Sequence, residues 1–132
     1  MKNILIGVLL LLSVSCRPKM SDQWQDGFYS IWQENNCFHV KLWEGEVHIH
    51  NIHQYRYIKL QLIDCDLMNL SDSSILPRVT EYANLVYVNM IEKDRYKYIE
   101  VILTKDVDNF PGNSFWFAIK KEGIEYYGKA LP

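Results

Sequence analysis

The sequence predicts a mainly β domain, a single small antiparallel barrel or sandwich of about eight strands. Three observations lead there. Apolar and polar residues alternate with a period of two in run after run, as in His39-Val40-Lys41-Leu42. Turn-forming residues separate these runs at short intervals. All 18 Phe, Trp and Tyr residues lie beyond residue 15, and aromatic and β-branched richness suits a pleated, half-buried surface. We read no apolar stripe at 3.6-residue spacing longer than two turns.

The expected strands are 28–33, 37–43, 46–53, 55–64, 84–91, 96–104, 114–120 and 124–127. Between them fall Glu34-Asn35-Asn36, Glu44-Gly45, Lys93-Asp94, the stretch 109–113, and Glu122-Gly123. Residues 65–83 break the pattern. Ser71-Asp72-Ser73-Ser74 reads as a loop and Pro77 interrupts the residues after it, so a short helix or a crossing connection is expected there. The strands 96–104, 84–91 and 114–120 are apolar on both faces, which places them in the middle of a sandwich or barrel, or beneath the irregular segment 65–83.

Glu44-Gly45 as a two-residue turn sets Leu42 opposite Val47 and Val40 opposite Ile49, an apolar match that favours this register. The other face then sets His39 across from His50 and Lys41 across from His48. In such an up-down-up meander Cys37 and Cys65 lie at opposite ends of the sheet. Ten extended residues, about 33 Å, would part them, against the roughly 6 Å a disulfide needs, so no internal bridge is expected.

The leader carries its own message. Lys2 is followed by nine unbroken apolar residues, 4–12, far short of the about 20 needed to span a bilayer. Ser13-Val14-Ser15-Cys16 then offers small residues before a cleavage point. The chain therefore divides into a signal peptide, 1–15, a tether, 16–23, and a globular domain, 24–132. Cleavage removes Lys2 from the 14 Lys and Arg and none of the 16 Asp and Glu, leaving a net charge of −3. That balance is too small and mixed to point to nucleic acid.

The histidines offer the one metal hypothesis. His39, His48 and His50 share a face of the expected hairpin, and neutral imidazoles so placed could hold Zn²⁺ or Cu²⁺; the plainer reading is a solvated strand face. Asp64-Cys65-Asp66 and Asp106-Val107-Asp108 lack the Gly and distal Glu of a calcium loop. Cys37 and His39, two apart on a strand, splay about 7 Å, too far for a nucleophile pair. Phosphate loops, nucleophile elbows and paired-Cys zinc spacings are missing, so no catalytic residue is assigned and the chain is read as no enzyme. Of the aromatic side chains, Phe115 and Phe117 are expected in the core. Trp24, Trp32, Trp116, Tyr126 and Tyr127 fit a core or a pocket, and Trp43 is the best candidate for an exposed binding surface.

Val14-Ser15-Cys16, with Leu12 one place early, resembles the lipobox of bacterial lipoproteins. The resemblance implies that Cys16 carries the acyl chains, each buried methylene adding about 0.8 kcal/mol of membrane hold. Arg17 stands where Asp would retain such a protein in the inner membrane, which implies the outer membrane. The closing "FWFAIKKEGIEYYGKAL" resembles the end of certain small bacterial lipoproteins of uncharacterised function. Together these imply a lipid-anchored, non-catalytic envelope protein whose β-domain binds another macromolecule, as inhibitors and immunity factors do. The alternatives are a small-molecule carrier with a lipocalin-like, aromatic-lined cavity, for which the usual Gly-x-Trp entry is missing, and a metal-binding envelope protein.

Overall fold

In the computed structural model, which describes residues 17–49, 53–108 and 112–132, one sheet carries two helices on a single face. Helix α1 spans Trp24–Glu34. Strands β1 (His39–Ile49) and β2 (His53–Ile63) come next, then helix α2 (Asp72–Asn89). Strands β3 (Tyr98–Thr104), β4 (Gly112–Lys120) and β5 (Gly123–Gly128) complete the sheet. Short 3₁₀ turns lie at Asp66–Asn69 and Lys93–Arg95.

The sheet order is β1-β2-β3-β4-β5, with β2 and β3 parallel and every other pair antiparallel. The fold is thus mainly β, but the expected eight-stranded barrel or sandwich is not what forms. There are five strands among the described residues, and the sheet is open. A parallel pair needs a crossover, and α2 supplies it between β2 and β3.

Two expected strands are helices. In α1, Trp24, Phe28, Ile31 and Trp32 recur at spacings of four, three and one, and Trp24 and Ile31 are buried. In α2, Ile75, Val79, Tyr82, Ala83 and Val86 hold one face for more than three turns, all buried. The short helix expected in 65–83 is therefore a long one that absorbs the expected strand 84–91. Aromatic and β-branched residues lower helix propensity by only tenths of a kcal/mol each, and an apolar stripe packed on a sheet outweighs that. Pro77 is tolerated because it lies in the second turn on the exposed side, leaving the Ser73 carbonyl it orphans at the surface.

The second correction concerns the hairpin. Glu44-Gly45 is no turn: β1 runs straight through it, and the expected register is replaced by a hairpin of eleven pairs, from His39↔Ile63 to Ile49↔His53. Gly45 sits opposite Tyr57, whose ring lies over it so closely that a Cβ there would fall 2.2 Å from Tyr57 Cζ. The glycine is present for that close approach. A third correction stems from the second. With one long hairpin, Cys37 and Cys65 flank the same end of it, and they form a disulfide with Cα atoms 4.0 Å apart.

The core lies between helices and sheet. Ile58, Leu60 and Leu62 of β2 pair with Ile99, Val101 and Leu103 of β3, which in turn meet Phe117 and Phe115 of β4. Strand β3 is central, as expected, with every residue after Tyr98 buried. Residues 19–21, within the expected tether, are bonded to the end of α2. Met20 bridges Met90, Ser21 donates its N–H to the Asn89 carbonyl, and Ile91 donates to the Lys19 carbonyl. The leader, 1–15, and Cys16 lie outside the described residues.

Candidate functional site

Strand β1 is an edge strand, and α1 runs beside it. Between them, lined also by Arg17, Pro18 and Met20, lies a groove of about 640 Å³. Its helical wall is an aromatic row. Trp24 and Phe28 meet edge to face at 6.0 Å, Phe28 and Trp32 at 5.8 Å, and Trp32 and His39 at 5.0 Å. Such contacts add about 0.5–1.5 kcal/mol each beyond burial and fix the rings in place. The Trp32 indole also donates to the Cys37 carbonyl at 2.8 Å, which ties the end of α1 to the disulfide. The floor is β1 itself, from His39 to Trp43. Arg17 and Lys41 bring positive charge to the lining, which contains no Asp or Glu.

The strand edge also presents backbone groups. Asp64 donates its N–H to the Thr104 carbonyl of β3 at 2.8 Å. Backbone groups alternate sides along a strand, so the odd-numbered β2 residues bond β1. Their partners are the odd residues of β1, from His39 to Gly45. Val40, Leu42 and Glu44 therefore turn their N–H and C=O away from β2, Val40 being buried there. None of the described segments forms a backbone hydrogen bond with them there.

The sheet face away from the helices is aromatic and polar. Tyr55 meets Tyr98 and Tyr57 meets Trp116, each at 4.9 Å, and Tyr98 meets Tyr127 at 5.7 Å. Among them is a buried ion pair, Lys59 Nζ 3.4 Å from Glu100 Oε1, with Ser114 Oγ donating to Oε2 at 2.8 Å. The Lys59 ammonium also lies over the Trp43 ring at 5.1 Å. Burial, and then the Glu100 charge, push the Tyr57 hydroxyl above its ordinary value, so the phenol stays neutral.

Of the residues singled out in the sequence, Trp43 is on the groove and more than a third exposed, in mid-strand rather than at a turn. Phe115 and Phe117 are in the core, as expected. The histidine cluster is not assembled. His39 and His48 are nine residues apart on one strand, about 30 Å, and on opposite faces. His50 lies outside the described residues, and no group of three metal-ligating side chains occurs among those described. Cys37 has no thiolate to give, being bonded to Cys65. The aromatic row of α1 was the missed feature; its four-residue spacing, 24, 28 and 32, was the signal. Comparisons with protein-family models, curated proteins and solved structures find no match to this chain.

Proposed function

We propose that this chain is a lipid-anchored, non-catalytic protein of the bacterial cell envelope, held by acyl chains on Cys16, whose domain binds another protein in the manner of an inhibitor or immunity factor. The observation that carries the binding reading is the groove along β1, where a fixed row of aromatic rings on α1 faces Lys41, Leu42 and the exposed Trp43. The export reading draws on the leader and on the Cys37–Cys65 disulfide, a bond that persists in oxidising compartments. With those two paired, Cys16 is the odd thiol left for lipid. Arg17 beside it favours the outer membrane.

A carrier of small molecules is the second reading, favoured by a groove volume within the range of ligand sites. An aromatic row running along a strand is wasted on a compact ligand, which is why we prefer a protein.

Two measurements test the proposal. Growth with an alkyne palmitate should label the wild type in the membrane fraction, and Cys16→Ser should lose the label and leave the membrane. A photo-crosslinking amino acid at Gln25, on the groove, should give a discrete protein adduct in the native cells, abolished when the same label is placed at exposed Lys121. Retention of Met1 in the native protein would end the export reading, and no adduct from Gln25 would end the binding one.

A further inference from the structure

We propose that the groove beside β1 also takes an acyl chain carried by Cys16 of the same molecule, holding it in water and releasing it to a bilayer, so that a partner protein enters only once the molecule is anchored. This rests on the reading of Cys16 as the lipid site and of the groove as a protein-binding site, and adds how that site is regulated.

The attachment point is at the groove. Arg17 lines it, and Cys16 is bonded to Arg17, one Cα step of about 3.8 Å away. The residues after Arg17 hold that point in place. Pro18 is buried, and Met20 bridges Met90. The Lys19 carbonyl accepts from the Ile91 N–H at 3.1 Å, and the Ser21 N–H donates to the Asn89 carbonyl at 2.7 Å. A chain on Cys16 therefore meets the groove at an effective concentration of about millimolar, which a free amphiphile in dilute solution does not reach.

The lining suits this occupant. Trp24, Phe28 and Trp32 hold one another edge to face along one wall, and Leu42 and Trp43 of β1 face them. Val40 is 1% exposed, so the strand at the floor is covered and offers an occupant little hydrogen bonding. An alkyl chain asks for none, and gains only by leaving water. Being uncharged, it is indifferent both to Lys41 in the groove and to Glu44 and Glu46 further along the strand.

The length of the wall sets the direction of exchange. From Trp24 to Trp32 it runs about 12 Å along α1. A long acyl chain outruns that wall and leaves part of itself in water, whereas a bilayer covers all of it. Every two methylenes so gained favour the bilayer about tenfold. In water the chain stays in the groove; at a membrane it leaves, and the aromatic wall is bared for the partner.

Cells are grown with a diazirine-bearing palmitate, and the wild-type protein is purified in detergent, freed of detergent, irradiated and mapped by peptide mass. Adducts within one molecule are expected on the peptides that contain Trp24, Phe28 and Trp32 or Leu42 and Trp43. They should fall at least about tenfold when the protein is first returned to phosphatidylcholine vesicles, where the chain reacts with lipid instead. Phe28→Glu should lose them and exposed Lys121→Glu should keep them; the comparison of water with vesicles needs no variant. Adducts scattered over the surface, adducts between molecules, or groove adducts that persist in vesicles overturn the proposal. A Gln25 adduct in cells without any acyl adduct in the groove sinks this inference and leaves the protein-binding reading standing. A protein that takes up no diazirine palmitate ends the anchor reading and this inference together.

Discussion

Gly45 and Tyr57 show how one residue pair shapes the sheet. The ring lies where a Cβ would be, so Gly45→Ala must push Tyr57 off its place against Trp116, 4.9 Å away. We expect a loss of about 1–3 kcal/mol in denaturant unfolding, as overpacking costs elsewhere. In Tyr57→Ala the space is open, and the same glycine change should then cost far less; equal costs in both backgrounds would refute the steric account. Asn35 works the other way, by what it bonds. Its buried side-chain amide donates to the Ile31 carbonyl and the Tyr82 hydroxyl, both at 2.8 Å, and its backbone carbonyl accepts from the Asp66 N–H. Asn35→Ala leaves the buried Tyr82 hydroxyl without its donor, at about 1–3 kcal/mol, again read from unfolding curves. Neither role could be read from the sequence. Gly45 between Glu44 and Glu46 has the look of a turn, and Asn35 beside Asn36 the look of a loop, because both roles depend on partners 12 and 47 residues away.

Elements explain the larger departures. A turn placed at Glu44-Gly45 splits one long strand into two, reverses everything after it, and carries Cys65 to the wrong end of the sheet. Restoring the strand brings the thiols together, closing a 28-residue separation. Cross-linking such a loop contributes about 3–4 kcal/mol by restricting the unfolded chain. The double variant Cys37→Ser/Cys65→Ser should lose that much, and the wild type should gain 2 Da on reduction, two hydrogens per disulfide; unchanged mass would remove the bridge. The segment at 19–21 gives a pH test. Lys19, 3.1 Å away, holds the Glu92 carboxyl below its ordinary 4.5, with Arg95 adding to the effect. A lowered folded value means the contribution is complete above about 4.5 and fades as pH falls through the folded midpoint. Protection of the Ser21 and Ile91 amides, taken relative to their intrinsic exchange at each pH, should therefore fall in acid, and Lys19→Ala should return the Glu92 midpoint toward 4.5. A midpoint that ignores Lys19 would count against the pairing.

At the scale of the whole molecule, one sheet serves two surfaces. Its inner face is closed by α1 and α2, and its outer face carries its own large side chains around the Lys59–Glu100 pair. Strands β2 and β3 lie inside the sheet with neighbours on both sides, and β3 is buried on both faces. Their amides should be the last to exchange under native conditions, and those of β1 and β5, at the edges, the earlier. Faster exchange in β3 than in β5 would contradict this order.

Sequence by itself determined the mainly β character, strands β3 to β5 and the core places of Phe115 and Phe117, because period-two alternation and turn residues act over a few neighbours. It also carries the apolar run 4–12 ahead of Cys16, which is covalent order and needs no fold. Only the tertiary structure decided that Trp24–Glu34 and Asp72–Asn89 are helices, that β1 runs on through Gly45 to Ile49, and that Cys37 meets Cys65. Aromatic and β-branched residues suit either element, and what chose between them was the surface each could bury against.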